Sequence, residues 1–159
     1  MSGGDRRLAP LPPESLEPAQ RRLYDAILTG PRANSGLADG AGTLRGPFDA
    51  LLRVPAVGDA VQRLGAELRF AGSLPADLRE ITVLTVAAHW SCEFELASHA
   101  PIATAAGVDP AVVEALRAGK SPELDGAQRL VHEAVDELLG SHAIGDASYA
   151  ALVAELGED

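Results

Sequence analysis

The chain has 159 residues, 47% of them hydrophobic and 23% charged, a balance that excludes a disordered, collagen-like or disulfide-rich protein. Its length fits one compact domain better than two full ones. Thirteen basic side chains against 23 acidic ones leave a formal charge of -10 with no basic run, so a phosphate backbone, and with it nucleic acid, is not an expected partner.

Leu8-Ala-Pro-Leu-Pro-Pro at the start favours an extended, polyproline-like arm over a helix, and residues 1–16 are read as a surface strap ahead of a single helical domain over 17–159. Met1-Ser-Gly-Gly-Asp-Arg-Arg lacks the apolar run of a signal peptide, and no stretch reaches the ~18 apolar residues that span a bilayer. A cytoplasmic, reducing setting without membrane contact is the expectation, and one cysteine closes no disulfide within the chain.

Glu17 to Leu28 puts Leu23, Ile27 and Leu28 on one helical face, with Pro18 in the first turn and Gly30-Pro31 as a stop. Gly30 to Gly46 is glycine-rich and aperiodic, either a lid or a mobile loop. It is no phosphate loop, because G-x-x-x-x-G-K-[ST] is absent and no apolar strand leads into it. A short helix over Phe48 to Arg53 comes next, then one from Pro55 whose Val57, Val61, Leu64 and Leu68 recur at helical spacing. Ser73-Leu-Pro reads as an N-cap with a proline in the first turn. The run from Pro75 to Trp90 is apolar nearly all round and, at ~16 residues, too long for an ordinary strand, so it reads as a central helix.

Cys92 to Ala106 is expected to continue as a helix ended by Gly107, and Asp109-Pro110 caps another that runs to Gly119. Asp125 to Leu139 and a last segment carrying Tyr149, Leu152, Val153 and Leu156 complete the set. The fold class is all-α: a compact helical bundle, its buried hairpin made by the central helix and the helix starting near Cys92. Apolar helix faces on so short a bundle make self-association an expectation.

On a helical wheel Cys92, Glu95 and His99 fall within an arc of ~60° over ~10 Å of axis, which puts a thiol, a carboxylate and an imidazole on one stripe. Glu80 sits in the most apolar helix, where an ionised carboxylate needs a partner, and His99 and Cys92 are the natural candidates. A buried Glu with a His is equipment for moving a proton. Against that stand plainer readings: Glu95 and His99 as a solvated i,i+4 pair, Cys92 as a small core residue, and His89 beside Trp90 as a helix-end group. His132-Glu133 opens like a zinc-protease motif but is followed by Asp136 in place of the second His, and no pair of Glu-x-x-His motifs offers a di-iron site. Neither a metal nor a cofactor is expected.

Leu78-Arg-Glu-Ile-Thr-Val-Leu-Thr-Val-Ala-Ala-His-Trp-Ser-Cys-Glu-Phe-Glu-Leu-Ala-Ser-His, followed by Ala100-Pro-Ile-Ala-Thr-Ala-Ala-Gly-Val, resembles the carboxymuconolactone decarboxylase and alkylhydroperoxidase D superfamily. Arg22-Leu-Tyr-Asp, Leu44-Arg-Gly-Pro-Phe and Leu64-Gly-Ala-Glu-Leu-Arg-Phe extend the resemblance along the chain. It implies an all-α fold assembled into homotrimers or homohexamers, with active sites near subunit contacts. The redox branch of that superfamily carries a glutamate, C-x-x-C and a histidine. The spacing is similar at Glu80, Cys92 and His99, but Glu95 stands where the second, peroxide-attacking cysteine would be. The decarboxylase branch carries Glu-x-x-x-His, to which Glu95-Leu-Ala-Ser-His99 is similar, although its later glycine-valine-proline segment has no counterpart between Val108 and Gly140.

The resemblance and the residues together imply acid/base chemistry on a small carbonyl or carboxylate compound: decarboxylation, isomerisation or hydration, with His99 as general acid/base and Glu80 and Glu95 orienting it. Arg79 and Arg53 are candidates for stabilising an oxyanion. Two alternatives stand beside it, a single-cysteine peroxidase using Cys92 with Glu80 and His99 as relay, and a non-enzymatic oligomeric ligand-binding protein.

Overall fold

A computed structural model describes residues 8–33 and 35–158, and in these residues the regular structure is helical throughout, apart from an isolated bridge between Ala38 and Leu44. No helix among them is long and apolar enough to cross a membrane. The chain divides into two compact units, Met1–Gly72 and Ser73–Asp159.

The first unit holds α1 (Pro18–Thr29), α2 (Pro47–Leu51) and α3 (Pro55–Phe70), preceded by a 3-10 turn over Pro13–Ser15. Proline opens all three α-helices, because its fixed φ suits the first turn and its missing N–H is not needed there. Gln20 Oε1 accepts the Glu17 N–H at 2.9 Å and secures the start of α1. Leu23, Tyr24 and Ile27 of α1 meet Leu44 and Leu52 in a core of their own. α3 comes close because of Gly58, where a Cβ would stand 2.4 Å from the Leu51 carbonyl oxygen and 2.8 Å from Leu23 Cδ2.

The glycine-rich segment after α1 is tied to the first unit through residues 37–45. Leu44 enters the core at 1% exposure, Arg45 N–H bonds the Leu37 carbonyl at 2.8 Å, and Tyr24 Oη donates to the Gly42 carbonyl at 2.7 Å. Its glycines serve backbone geometry: Gly36, Gly42 and Gly46 have φ of 62°, 82° and 57°. Residues 8–16 of the N-terminal arm are likewise tied down, with Leu11 N–H on Asp49 Oδ1 at 2.9 Å and the Arg53 guanidinium on the Ala9 carbonyl, and residues 1–7 of the arm lie outside the described residues.

The second unit is built around α4 (Ala76–His89), which packs against α5 (Glu93–Ala105), α6 (Pro110–Arg117) and α7 (Gly126–Ser141), while α8 (Asp146–Leu156) lies on α7. Ile81, Leu84 and Ala87 of α4 join Leu96, Ala100 and Ala103 of α5 and Val112, Val113 and Leu116 of α6 in one buried cluster. The β-branched run in α4 is therefore helical, as its length implied. The helix begins at Ala76 with Pro75 at the N-cap, not Ser73, because Leu74 precedes a proline and is steered away from helical dihedrals. Asp109 caps α6 as expected, its Oδ1 accepting Ala111 N–H at 2.7 Å.

Candidate active site

α4 and α5 form an antiparallel pair joined by Trp90, Ser91 and Cys92, and this turn sets the site. Cys92 N–H bonds the Ala87 carbonyl at 2.8 Å, closing the end of α4, and Ser91 adopts φ 51°, a left-handed value uncommon outside glycine. The sharp reversal returns α5 along α4, so that a residue in its second turn lies beside one near the start of α4.

Glu80 projects from α4 with 0% exposure. Its Oε2 stands 2.6 Å from Nδ1 of His99 on α5, a short charge-assisted contact. Of the two partners expected from sequence, His99 takes the carboxylate. With Glu80 as the carboxylate, Nδ1 donates in that bond, and a neutral imidazole then carries its lone pair on Nε2. Nε2 lies 3.4 Å from Oε2 of Glu95, one turn back on α5. Side-chain exposure rises along this line from 0% at Glu80 through 15% at His99 to 36% at Glu95, so one end is dry and the other wet.

Arg79, the neighbour of Glu80 on α4, brings Nε to 3.5 Å from Glu80 Oε1, close enough for an ion pair but with no hydrogen bond formed by that Nε. It brings a cation to the buried end of this line. Sequence spacing named it only as a candidate, since adjacent residues do not share a helix face.

Cys92 stands at the very start of α5, its carbonyl accepting the Leu96 N–H at 3.0 Å. It is the N-cap of that helix, with ψ 86°. It is half-buried and packs against the apolar cluster, and no hydrogen bond or ion pair joins it to Glu95 or His99. Glu95 and His99, both inside α5, do share a face as their spacing required.

A second polar contact escaped the sequence. Thr85 Oγ1 donates to the Ile81 carbonyl at 2.8 Å within α4 and meets His132 Nδ1 of α7 at 2.9 Å, while His132 Nε2 lies 3.6 Å from Asp136 Oδ2. Thr85, His132 and Asp136 edge a cavity of about 200 Å³ that also touches His89 and Lys120, and none of Glu80, Cys92, Glu95 or His99 lines it. Among the described residues no group of His, Cys, Asp and Glu is arranged to hold a metal ion.

Residues 55–135 match the sequence pattern of the carboxymuconolactone decarboxylase family, just over half of the chain, and the match takes in Glu80, Cys92, Glu95 and His99. The chain belongs to the carboxymuconolactone decarboxylase family. No curated protein and no solved structure matches it. In this member of the family the position between Cys92 and His99 that would complete C-x-x-C is Glu95, so its polar line runs carboxylate, imidazole, carboxylate.

Proposed function

We propose that this family member is an enzyme that moves protons on a small carbonyl or carboxylate compound, with His99 Nε2 as the general acid/base. The 2.6 Å contact between Glu80 and His99 carries this reading. A buried carboxylate on Nδ1 holds the ring in one orientation and one tautomer and stabilises the imidazolium that forms when Nε2 takes a proton. Glu95, half-exposed beside Nε2, receives or returns the proton at the solvent side. Arg79 is the group for an enolate or carboxylate oxygen, since among the described residues its one ion pair, with Glu80, is made on the Nε side. Decarboxylation, isomerisation and hydration each need this one step, protonation or deprotonation next to a carbonyl. General acid/base catalysis contributes about 10²- to 10⁴-fold, and binding with oxyanion stabilisation supplies the rest.

The enzyme of this proposal works in the cytoplasm as a homotrimer or homohexamer. Val57, Val61, Leu64 and Leu68 of α3, between 49% and 66% exposed, form one apolar stripe, and covering it with another copy removes that surface from water.

Solvent exchange tests the reading through the proton-transfer step that all three reactions share. The protein is incubated in D2O with a panel of small lactones, 2-oxo acids and enol acids, and deuterium incorporation next to the carbonyl is followed by NMR. Wild type should label at least one compound, and His99→Ala should lose the labelling while keeping its helical circular dichroism. Labelling that survives in His99→Ala would remove His99 from the chemistry.

A further inference from the structure

Away from the α4–α5 site, the first unit holds a cation where none is expected. Arg32 follows the Gly30-Pro31 break after α1 and is only 8% exposed. Its Nη1 donates to the Gln62 carbonyl of α3 at 3.0 Å. Its Cζ lies 5.7 Å from the ring centroid of Phe48 in α2 and 5.8 Å from that of Phe70 at the end of α3. Gly65 makes the room, because a Cβ there would come within 2.9 Å of Nη2.

A guanidinium does not shed its proton inside a protein, so burial has to be offset by negative charge or by π-faces. In a chain with 23 acidic side chains, no ion pair joins a carboxylate to Arg32 among the described residues. The neighbour it does have is another cation. Arg69 puts its Cζ 5.3 Å from the same Phe70 ring and also forms no ion pair among those residues. Burial first, and the charge of Arg69 second, push the Arg32 pKa below its ordinary value.

We propose that Arg32 and Arg69, framed by Phe48 and Phe70, form a binding site for the oxyanion group of a small ligand, a carboxylate or a phosphate. Two guanidinium groups supply several N–H donors of the right charge, and an oxyanion between them relieves the repulsion that they otherwise bear. Arg69 is half-buried and Phe70 is 47% exposed, which leaves an approach from solvent. The exposed part of Phe70 takes an apolar portion of the ligand. A plainer role for Arg32, strapping the turn after α1 to α3 through Gln62, requires no anion and no Arg69, and that difference decides the experiment.

Arginine Nε–H resonances of the full chain are followed by NMR during titration with inorganic phosphate, with benzoate, and with chloride at matched ionic strength. Saturable shifts at both Arg32 and Arg69 with phosphate or with benzoate, beyond those from chloride, are expected, and which probe acts identifies the oxyanion. Arg69→Gln, whose half-buried side chain makes a single ring contact, should fold as wild type and bind about tenfold more weakly. As a second readout, the effective anion should raise the thermal midpoint of wild type more than chloride does and lose that effect in Arg69→Gln. Shifts no larger than those of chloride, or binding unchanged in Arg69→Gln, would overturn the proposal and leave Arg32 as a strap.

Discussion

Glu80 and His99 lie 19 positions apart in sequence and meet at 2.6 Å, the carboxylate sealed in the core and the imidazole at its edge. A contact this short between a dry acid and a half-dry base orders the ring. It also leaves the outer nitrogen on the side of Glu95, 3.4 Å from Oε2.

Glu80→Gln keeps the shape of the side chain and removes its charge. The amide oxygen can still accept from Nδ1, so His99 stays oriented, but the imidazolium loses its stabilising carboxylate. We expect kcat to fall by about 10²-fold with KM little changed, as suits an interaction that strengthens when Nε2 is protonated. Steady-state kinetics on whichever compound exchanges deuterium measures this, and a loss confined to KM would assign Glu80 to binding.

Cys92→Ser should leave that exchange reaction within about twofold of wild type, because the thiol packs on apolar neighbours and makes no polar contact with His99. Peroxide consumption in excess small thiol, read beside mass spectrometry of Cys92, is the companion assay. Turnover of peroxide that vanishes in the mutant would promote the single-cysteine peroxidase over the acid/base enzyme.

Gly58→Ala places a methyl group 2.4 Å from a backbone oxygen that cannot swing aside. α3 must then move off α2 and α1, at a cost of about 1–3 kcal/mol. Urea denaturation would show the loss as a lower midpoint at unchanged slope. Gly140→Ala is the control, since its added Cβ meets nothing within 4 Å, and an alanine in the last turn of α7 should leave stability unchanged or raise it by a few tenths of a kcal/mol.

Leu64→Glu combined with Leu68→Glu puts two charges into the apolar stripe of α3, where Leu64 and Leu68 are 62% and 66% exposed. Being exposed, the pair should leave the helical spectrum of an isolated protomer intact and dissociate the assembly. Light scattering coupled to size-exclusion chromatography reads both. A wild type that is already monomeric would remove the oligomer from the proposal.

Local features were legible from the order of residues alone. Proline and glycine punctuation placed the helices to within a few residues, because chain stiffness and missing N–H groups act on immediate neighbours. The i,i+4 spacing put Glu95 and His99 on one face, because helix geometry alone decides that. The non-local choices stayed open. That Glu80 meets His99 depends on the turn between α4 and α5, where Ser91 is left-handed and Cys92 becomes the N-cap of α5. Whether the glycine-rich segment is free depends on a hydroxyl of α1, Tyr24, and on Leu44 finding the core. The Arg32 cage joins three parts of the chain that carry no common motif. Helical periodicity is written into each segment, whereas partners across segments are chosen by packing, and only the folded chain holds that information.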